Sequence, residues 1–342
     1  MARHPFTDTI IKWFASHGRE LPWRGINDPY GIWLSEVILQ QTRIAQGTDY
    51  WIRFIQTFPT VGDLARASQD HVMRLWQGLG YYSRARHLHQ AARQVVEWGH
   101  FPDNYEQLRK LSGVGDYTAA AIASMAFGEP VAAVDGNVFR VLARYFGVDT
   151  PINTSQGKRQ FTELAQSLLP PDAPGTFNQA MMDFGALQCT PSSPACRQCP
   201  LEASCMACAQ GTVSLLPVKN KTVQIKRRDL TYVYLRCNGK TAIHQRSAGD
   251  IWQGLWEPPT FEGGQLPQWQ GRLTLLKDNV RHVLTHRRII ATFYLLETDT
   301  PPATLPSDYV WIDENEIDRY ALPRLVEKLI ETLSTHTAQT DC

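Results

Sequence analysis

The sequence predicts a multidomain protein with a mostly helical first part and a smaller α+β second part. Its 342 residues are enough for two domains that each bury a core. Helix-length stretches punctuated by prolines fill residues 1–185, whereas short β-branched and aromatic segments begin after about residue 210. We therefore divide the chain into a helical region at 1–210, a linker at 211–228 and a second domain at 229–342.

The helical region is predicted from apolar periodicity and from signals at helix ends. Asp28-Pro29 is typical of a helix start, with an N-cap residue followed by proline at the first helical position. Many short helices joined by short links indicate a compact helical bundle. The predicted helices cover residues 29–42, 47–57, 69–77, 83–98, 104–110, 116–127, 137–146, 155–168 and 175–188.

The second part combines predicted strands with one closing helix. Segments 230–236, 241–245 and 289–296 have strand composition, and residues 323–333 have the pattern of a helix. Asn238-Gly239 between the first two strands is a strong hairpin signal. The linker region suits either a solvated linker or a phosphate-contacting strap, because no acid interrupts its basic residues, which are Lys219, Lys221, Lys226, Arg227 and Arg228.

Composition indicates a globular intracellular protein and says little about its partner. Hydrophobic residues make up 43% and charged residues 20% of the chain, with no apolar run long enough to span a membrane and no signal-peptide pattern. A cytoplasmic location is therefore expected. The net charge is only +1, so an interaction with nucleic acid must be argued from local motifs.

Five of the seven cysteines fall between residues 189 and 208. Four of them have the spacing Cys189-x6-Cys196-x2-Cys199-x5-Cys205, and Cys208 is a spare. In an intracellular protein such crowding indicates metal or cluster ligation before disulfides. Four thiolates suit either tetrahedral zinc or an iron–sulfur cluster, and the ligand type alone does not separate the two.

Two glycines mark a tight turn between helices at residues 111–115. Gly113 and Gly115 allow unusual backbone angles, and the turn opens the helix predicted at 116–127. The outward backbone N–H groups at such a helix start can bind a phosphate without a basic side chain. A plain helix–helix turn is the other interpretation.

Two carboxylates are candidates for acid–base chemistry. Glu36 lies in a helix whose neighbouring turns carry Ile32, Trp33 and Leu39, so burial would raise its pKa and suit a general acid. A Glu that turns to solvent is the alternative. Asp135 alone reads as a helix N-cap, but paired carboxylates in different environments are also what glycoside hydrolysis uses.

Several motifs together resemble the adenine DNA glycosylases of the MutY type, within the endonuclease III superfamily. Residues 33–42 resemble the family signature W-x-S-E-x-x-L-Q-Q-T, and residues 134–138 resemble V-D-G-N-V. The cysteine spacing and the L-x-G-x-G turn match the same superfamily. The resemblance implies an all-α helix-hairpin-helix glycosylase domain with a [4Fe–4S] loop held by the four cysteines, followed by an α+β Nudix-like domain.

The resemblance also implies roles for the catalytic set Glu36, Asp135, Tyr117 and Asn137. In the family the glutamate protonates the departing adenine, and the aspartate stabilises the positively charged sugar and helps a water to attack it. Tyr117 stands where bifunctional relatives carry a lysine that forms a Schiff base. We therefore expect a monofunctional enzyme.

A second set of residues is expected to read the DNA and the lesion. Residues 78–86 resemble the family's G-L-G-Y-Y-x-R-A-R motif, with His87 where the family has Asn. A side chain must fill the gap left by a flipped base, and either tyrosine of the motif could do so. Alternatively Tyr82 packs in the core while Arg84 and Arg86 face solvent. The set comprises Gln40, Gln41, Thr42, Tyr81, Tyr82, Arg84, Arg86, Gly113, Gly115, Thr285 and His286.

The C-terminal motifs match the family's Nudix-like domain more loosely. Residues 252–259 resemble its G-L-W-E-x-P segment, but no Glu-dense helix follows, so Nudix hydrolysis is not expected. Residues 281–286 take the place of the loop usually written F-S-H, with Thr285 for serine and Leu284 for phenylalanine. A hydroxyl there can still hydrogen-bond 8-oxoguanine.

The sequence thus predicts a monomeric glycosylase that removes adenine mispaired with 8-oxoguanine or guanine in double-stranded DNA. One alternative is an endonuclease III-like glycosylase/lyase for oxidised pyrimidines, which Tyr117 and the long C-terminal part oppose. Another is a non-catalytic DNA-binding protein with a cluster, which the presence of both Glu36 and Asp135 opposes.

Overall fold

The computed structural model describes residues 3–26, 28–220, 225–284 and 286–340. These fall into two compact units. The first comprises Met1–Arg66 and His87–Lys221, and the second comprises Ala67–Arg86 and Thr222–Cys342. The second unit thus takes in residues 67–86, which the sequence-based division had placed with the helical region.

Helices form the first unit, as the sequence predicts. In chain order the helices of the protein are α1 (Pro5–His17), α2 (Pro29–Leu39), α3 (Ile44–Thr57), α4 (Val61–Arg66), α5 (Gln69–Trp76), α6 (Ser83–Trp98), α7 (Tyr105–Leu108), α8 (Asp116–Phe127), α9 (Gly136–Phe146), α10 (Ser155–Leu168), α11 (Pro174–Asp183), α12 (Met206–Gln210) and α13 (Arg324–Thr340). Short 3-10 turns at Cys196–Gln198, Glu202–Ser204 and Glu314–Arg319 and a π turn at Phe184–Gln188 complete the helical structure.

The helix ends follow local chemistry and correct several predicted boundaries. The Asp28 carboxylate accepts the N–H groups of Tyr30 and Gly31 and caps α2 as predicted. The helix ends at Leu39 rather than at residue 42, because the backbone turns at Gln40 and Gln41 takes a φ of 56°. The sequence also missed α1 and α4, and α11 passes into the π turn at Phe184.

The core of the first unit lies where α1, α9, α10 and α11 meet. Phe6 and Ile10 of α1 are buried there with Phe161, Phe177 and Phe184. The cysteine loop packs on the same core through Cys189, Cys199 and Cys205. Nearby, residues 118–124 of α8 are buried and four of them are alanines, which lets α2 and α11 pack close to this helix.

The second unit is a mixed sheet with α13 on it. Its strands are β1 (Lys226–Cys237), β2 (Lys240–Gln245), β3 (Trp256–Glu257), β4 (Thr260–Glu262), β5 (Arg272–Val283), β6 (Arg287–Glu297) and β7 (Val310–Asp313). Along the order β3-β2-β1-β6-β5, β1 and β6 are parallel while the other pairs are antiparallel, and β4 and β7 add to β1 and β2. Asn238 and Gly239 have φ of 53° and 75° at the predicted hairpin.

This unit has the predicted α+β class, and it contains more strand structure than the sequence predicts. The sequence missed β5, and β1 begins at Lys226, inside the predicted linker. Its core includes Val233, Leu235, Ala242 and Leu296. Among the described residues, no helix is long and apolar enough to cross a membrane.

Candidate active site

A cavity of about 870 Å³ in the first unit gathers the predicted catalytic residues. Glu36 of α2, Tyr117 of α8, Asp135 at the start of α9, and Asn137 all line it. These residues are up to about a hundred positions apart in sequence, and the packing of α2 on α8 brings them together. The structure therefore places all four predicted catalytic side chains around one space.

Glu36 is a buried carboxyl group with one hydroxyl partner in the cavity wall. Its residue surface is only 9% exposed, and the Tyr117 hydroxyl donates a hydrogen bond of 2.8 Å to its Oε2. Burial raises the pKa of Glu36 to about 7, against the lowering effect of the Tyr117 hydrogen bond. The charge of Asp135 raises this pKa further and that of Arg24 lowers it. The alternative in which Glu36 turns to solvent is thus wrong.

Asp135 caps α9 and also faces the cavity. One carboxylate oxygen accepts the backbone N–H groups of Asn137 and Val138, each at 2.9 Å. The other accepts the Asn137 side-chain amide at 2.7 Å. Burial raises the pKa of Asp135, and these hydrogen bonds act in the opposite direction. Asp135 therefore both caps α9, as the sequence predicts, and lines the cavity.

Tyr117 holds Glu36 from the first turn of α8. Its hydroxyl group lies 3.1 Å from the Met182 sulfur as well as donating to Glu36. Burial and the neighbouring carboxylates raise the pKa of Tyr117 well above its usual value. The phenol therefore stays protonated at neutral pH and acts only as a hydrogen-bond donor to the carboxyl group.

A chain of hydrogen bonds runs from Asp135 to the cysteine loop. Arg140 donates to the Asn137 side-chain oxygen at 2.8 Å and to the Gly185 carbonyl at 2.6 Å. Its Nε donates to the Cys189 carbonyl at 2.7 Å. Since Asn137 in turn donates to Asp135, the backbone of the cysteine loop and the cavity carboxylate share one network.

Asp183 is the functional-site feature that sequence reasoning missed. It is fully buried, and both Arg19 and Arg24 pair with its carboxylate. Although burial opposes it, the hydrogen bonds from Arg24 and Arg19 hold the pKa of Asp183 below its usual range. Both arginines line the cavity, so Asp183 anchors its positive wall. No local pattern signals this triad, because Asp183 lies more than 150 residues from both arginines.

The Gln-Gln-Thr segment forms the edge of the cavity beyond the end of α2. Gln40, Gln41 and Thr42 all line the cavity. The Gln40 amide donates to the Thr118 hydroxyl at 3.2 Å, whereas Gln41 is exposed at its left-handed backbone angle. The segment predicted to contact DNA therefore lies at the mouth of the same cavity as Glu36.

The turn between α7 and α8 contains two glycines, and only the first of them must be a glycine. Gly113 has a φ of 75°, and a Cβ there would lie 2.6 Å from the Cβ of His87. Gly115 caps α8 with extended backbone and open space around it. Gly113 is thus fixed by packing, while Gly115 leaves the first N–H groups of α8 without a side-chain cap.

In the second unit, the two tyrosines of the G-L-G-Y-Y motif point in different directions. Tyr81 is 47% exposed, and Tyr82 is 6% exposed. Arg84 is buried with its guanidinium 5.0 Å from the Trp76 ring, and burial lowers its pKa to about 10. Arg86 donates to the Gln253 carbonyl at 2.7 Å. Tyr82 therefore packs inside, as one interpretation had it, but Arg84 does not face solvent.

The residues expected to read the lesion lie at the turn between β5 and β6. Thr285 lies outside the described residues. His286 is exposed, and its carbonyl accepts the Lys226 N–H at 3.0 Å. His282 lies near the end of β5. It is half-buried against Trp252, and the two ring centroids are 5.9 Å apart.

The four cysteines of the predicted ligand set lie in one short loop, residues 189–205, which packs on the core of the first unit. All four are partly buried and none forms a disulfide. Burial raises the pKa of Cys199 to about 11, and the charges of Cys189, Cys205 and Cys196 raise it too, which places the four thiols within electrostatic reach of one another. Among the described residues, no three potential ligands converge on a single-ion site.

Arg144 lies beside two of these sulfurs, with its side chain at one and its backbone carbonyl at the other. The Arg144 guanidinium donates to the Cys189 sulfur at 3.5 Å, and the Cys205 thiol lies 3.5 Å from the Arg144 carbonyl. Arg144 also donates to the Thr190 and Pro191 carbonyls. This guanidinium would stabilise thiolates, the form in which cysteine binds a metal or cluster, so the donor set fits such a group.

Comparisons with known proteins agree with this fold. Residues 34–171 match the model of the HhH-GPD superfamily base excision DNA repair proteins, and residues 231–332 match that of the NUDIX domain. The chain is 45% identical to the adenine DNA glycosylase of Rattus norvegicus, covering 97% of this chain and 78% of that protein. It is 34% identical to that of Homo sapiens, covering 95% and 73%.

A solved structure supports the same assignment for the helical part. A thermostable thymine-DNA glycosylase superposes with a TM-score of 0.56 at 31% identity, over 60% of this chain and 95% of that one. The fold and the site thus define a base-excision-repair DNA N-glycosylase of the HhH-GPD superfamily with a C-terminal Nudix-like domain. Within that superfamily, the chain belongs to the adenine DNA glycosylases.

Proposed function

We propose that this enzyme removes adenine opposite 8-oxoguanine or guanine in duplex DNA by hydrolysis, with Glu36 as general acid and Asp135 as the stabilising carboxylate. The observation that carries the proposal is the pair of carboxyl groups on one cavity, of which the buried Glu36 accepts one hydroxyl and the half-buried Asp135 accepts three N–H donors. The adenine base itself is proposed from the names of the relatives.

The different hydrogen-bond partners of the two carboxyl groups support Glu36 as the one that carries the proton. A carboxylate with several N–H donors at a helix start is favoured in its charged form, which describes Asp135. Burial leaves Glu36 with a pKa of about 7, so a large fraction carries a proton at neutral pH. One group can therefore donate a proton while the other stays ionised, as departure of a base from a sugar requires.

The reaction would follow from these protonation states. An adenine flipped into the cavity accepts the Glu36 proton on a ring nitrogen, which makes the base a better leaving group. As the bond from the base to the sugar breaks, positive charge develops on the sugar, and the Asp135 carboxylate stabilises it. Water then adds to the sugar carbon, and Asp135 or the Glu36 carboxylate takes up its proton.

We further propose that the enzyme is monofunctional. A lyase step needs an amine that forms a Schiff base with the sugar. Tyr117 occupies the expected place and its hydroxyl is engaged by Glu36. In the described part of the chain no lysine lines the cavity. Borohydride in the presence of substrate should therefore trap no wild-type protein on DNA, and trapping through a lysine would contradict this part of the proposal.

Cys189, Cys196, Cys199 and Cys205 would hold a [4Fe–4S] cluster, with Arg144 beside them. The cluster would supply four strong bonds that order the loop at 189–205 and hence the end of the Arg140 network. Iron and acid-labile sulfide near four of each per chain are expected from protein purified without oxygen. One zinc per chain without sulfide would contradict the cluster and favour the tetrahedral zinc alternative.

The experiment that tests the function compares three duplexes, with adenine opposite 8-oxoguanine, guanine or thymine. After incubation, hot alkali cleaves abasic sites and shows which strand has lost a base. We expect breaks in the adenine strand of the first two duplexes and few in the third. Adenine release from none of them, with release of oxidised pyrimidines instead, would favour the glycosylase/lyase alternative.

A further inference from the structure

We propose that the C-terminal Nudix-like domain positions the loop that presents Tyr81, and that Gln77 is the positioning residue through which it does so. The loop spans residues 77–82, between α5 and α6, and belongs to the second unit together with that domain. The inference rests on the proposed function in one respect, namely that Tyr81 acts at the mispair. The contacts that carry it lie entirely within the second unit.

The start of the loop is held by the side chain of Gln77. Its amide oxygen accepts the backbone N–H of Leu322 at 3.3 Å and the Arg74 guanidinium at 2.7 Å. Its amide nitrogen donates to the carboxylate of Glu327 in the first turn of α13. Both hydrogen-bonding ends of this amide are therefore engaged, and two of the three partners come from the C-terminal domain.

The far end of the loop is held by the same domain. The Tyr82 hydroxyl donates to the Leu322 carbonyl at 3.5 Å and accepts the Gly78 N–H at 3.4 Å. Four residues beyond Tyr82, the Arg86 guanidinium donates to the Gln253 carbonyl at 2.7 Å. Leu322 thus contacts both ends of the loop, through its N–H at Gln77 and its carbonyl at Tyr82.

Close packing at Gly254 gives independent support. A Cβ at this glycine would lie 3.1 Å from the Gln69 amide nitrogen, 3.8 Å from Arg86 and 3.9 Å from Met73. Its φ of 80° is also one that other residues rarely adopt. Gly254 belongs to the segment that resembles the G-L-W-E-x-P motif. Because Gly254 has no side chain, this motif can pack closely against α5 and α6.

The loop conformation explains why such anchoring is needed. Tyr81 has a φ of 46°, which is uncommon for an aromatic residue, and lies just after Gly78 and Gly80 at 96° and 71°. A backbone in this region persists only where its surroundings fix it. With its two ends held by Leu322, Glu327 and Gln253, the loop keeps Tyr81 exposed.

The test uses the full-length protein and substitutions on α13, away from the cavity of the first unit. Glu327→Ala removes the acceptor of the Gln77 amide, whereas Glu327→Gln keeps an oxygen there. Glu331→Ala is the matched control, because Glu331 pairs with Arg324 as Glu327 does, at 2.9 Å in each case, but lies 61% exposed one turn further on. Two readouts are measured, backbone amide exchange at residues 78–83 without DNA and single-turnover adenine release opposite 8-oxoguanine.

We expect Glu327→Ala to speed amide exchange in the loop and to slow adenine release by about tenfold, the effect of losing one hydrogen bond to a charged group. Glu327→Gln and Glu331→Ala should stay within about twofold of wild type. A 2-aminopurine at the target position should also show a smaller fluorescence rise with Glu327→Ala, because fewer bases are unstacked at once.

Two results would overturn the inference. Either Glu327→Ala leaves loop exchange at the wild-type rate, or Glu331→Ala raises exchange and slows release equally, which would assign the effect to the Arg324 ion pair. A wild-type enzyme that releases no adenine would contradict the proposed function alone, since the exchange measurement needs no substrate and still tests the anchoring.

Discussion

The cavity of the first unit and the Tyr81 loop of the second are built by opposite means. Around the cavity, the carboxyl groups of Glu36 and Asp183 are buried and that of Asp135 is half-buried, and each is fixed by hydrogen bonds or ion pairs. The loop presents an exposed aromatic ring on a backbone whose ends are held by the hydrogen bonds of the Gln77 and Tyr82 side chains. If the proposed roles hold, we expect chemistry to depend on the electrostatics of the cavity and contact with DNA to depend on the shape of a surface loop.

The largest expected effect is on the chemical step. Glu36→Gln keeps the size of the side chain but removes the proton donor, so adenine release should fall by about 10²- to 10⁴-fold. Binding to the mispaired duplex should persist, because the loop and the turn at 111–115 are unchanged. Single-turnover rates and gel-shift titration measure the two quantities. Unchanged release would move the general acid elsewhere.

The next largest effect is expected on the free energy of unfolding when the buried carboxylate of Asp183 is replaced. Asp183→Asn leaves Arg19 and Arg24 without their carboxylate, which should lower the free energy of unfolding by about 3–5 kcal/mol. Asp63→Asn is the control, since its side chain is 36% exposed and pairs with Arg66 at the surface, and its cost in stability should be much smaller. Urea unfolding at pH 7 compares them, and equal costs would remove the distinction drawn here.

A smaller effect appears as pH is varied. Because the pKa of Glu36 is about 7 in the folded protein and 4.5 when unperturbed, the folded state binds this proton more tightly than the unfolded state. This contribution to stability is therefore present below pH 4.5 and lost as pH rises through 7, by up to about 3 kcal/mol. Glu36→Gln should be more stable than wild type at pH 8 but not at pH 4.5. A constant difference would mean that Glu36 is not buried in solution.

The smallest effect on stability is expected at the loop. Tyr81→Ala removes an exposed ring, so the free energy of unfolding should change by less than about 0.5 kcal/mol. Adenine release should nevertheless fall by about tenfold, since stacking of an aromatic ring on a base contributes about 1–3 kcal/mol. Tyr82→Ala should show the reverse order, with a large loss of stability, because Tyr82 is buried. Calorimetry and the release assay together test this pair.

What the sequence could predict depended on whether the controlling interactions are local. The helix start at Asp28, the hairpin at Asn238-Gly239 and the cap at Asp135 follow from neighbouring residues, and the structure has all three. The motifs also predicted that Glu36 and Tyr117 would share a site. Which tyrosine of the pair is exposed depends on contacts with Leu322, some 240 residues away, so the sequence left it open.

The elements that the sequence did not predict also depend on interactions between residues far apart in the chain. Strand β5 carries Lys277, Asp278 and Asn279 in its middle, and its pairing with β6 shifts register twice there, so no regular alternation is visible. Helix α1 lacks a strong start signal beyond Pro5, and its place is set by packing on α11. The Asp183 triad joins residues from both ends of the first unit.

The discontinuity of the second unit has a consequence for how the protein is made. Gln77 leaves the ribosome well before Leu322, its partner 245 residues later. At about 5–20 residues per second, that wait is on the order of 10–50 s. During this time α5 and the loop have no domain to pack on, and the side chain of Met73 that later lies near Gly254 is uncovered. This stretch of nascent chain is therefore where we expect a chaperone to bind during translation, and the completion of α13 to be what ends the need for it.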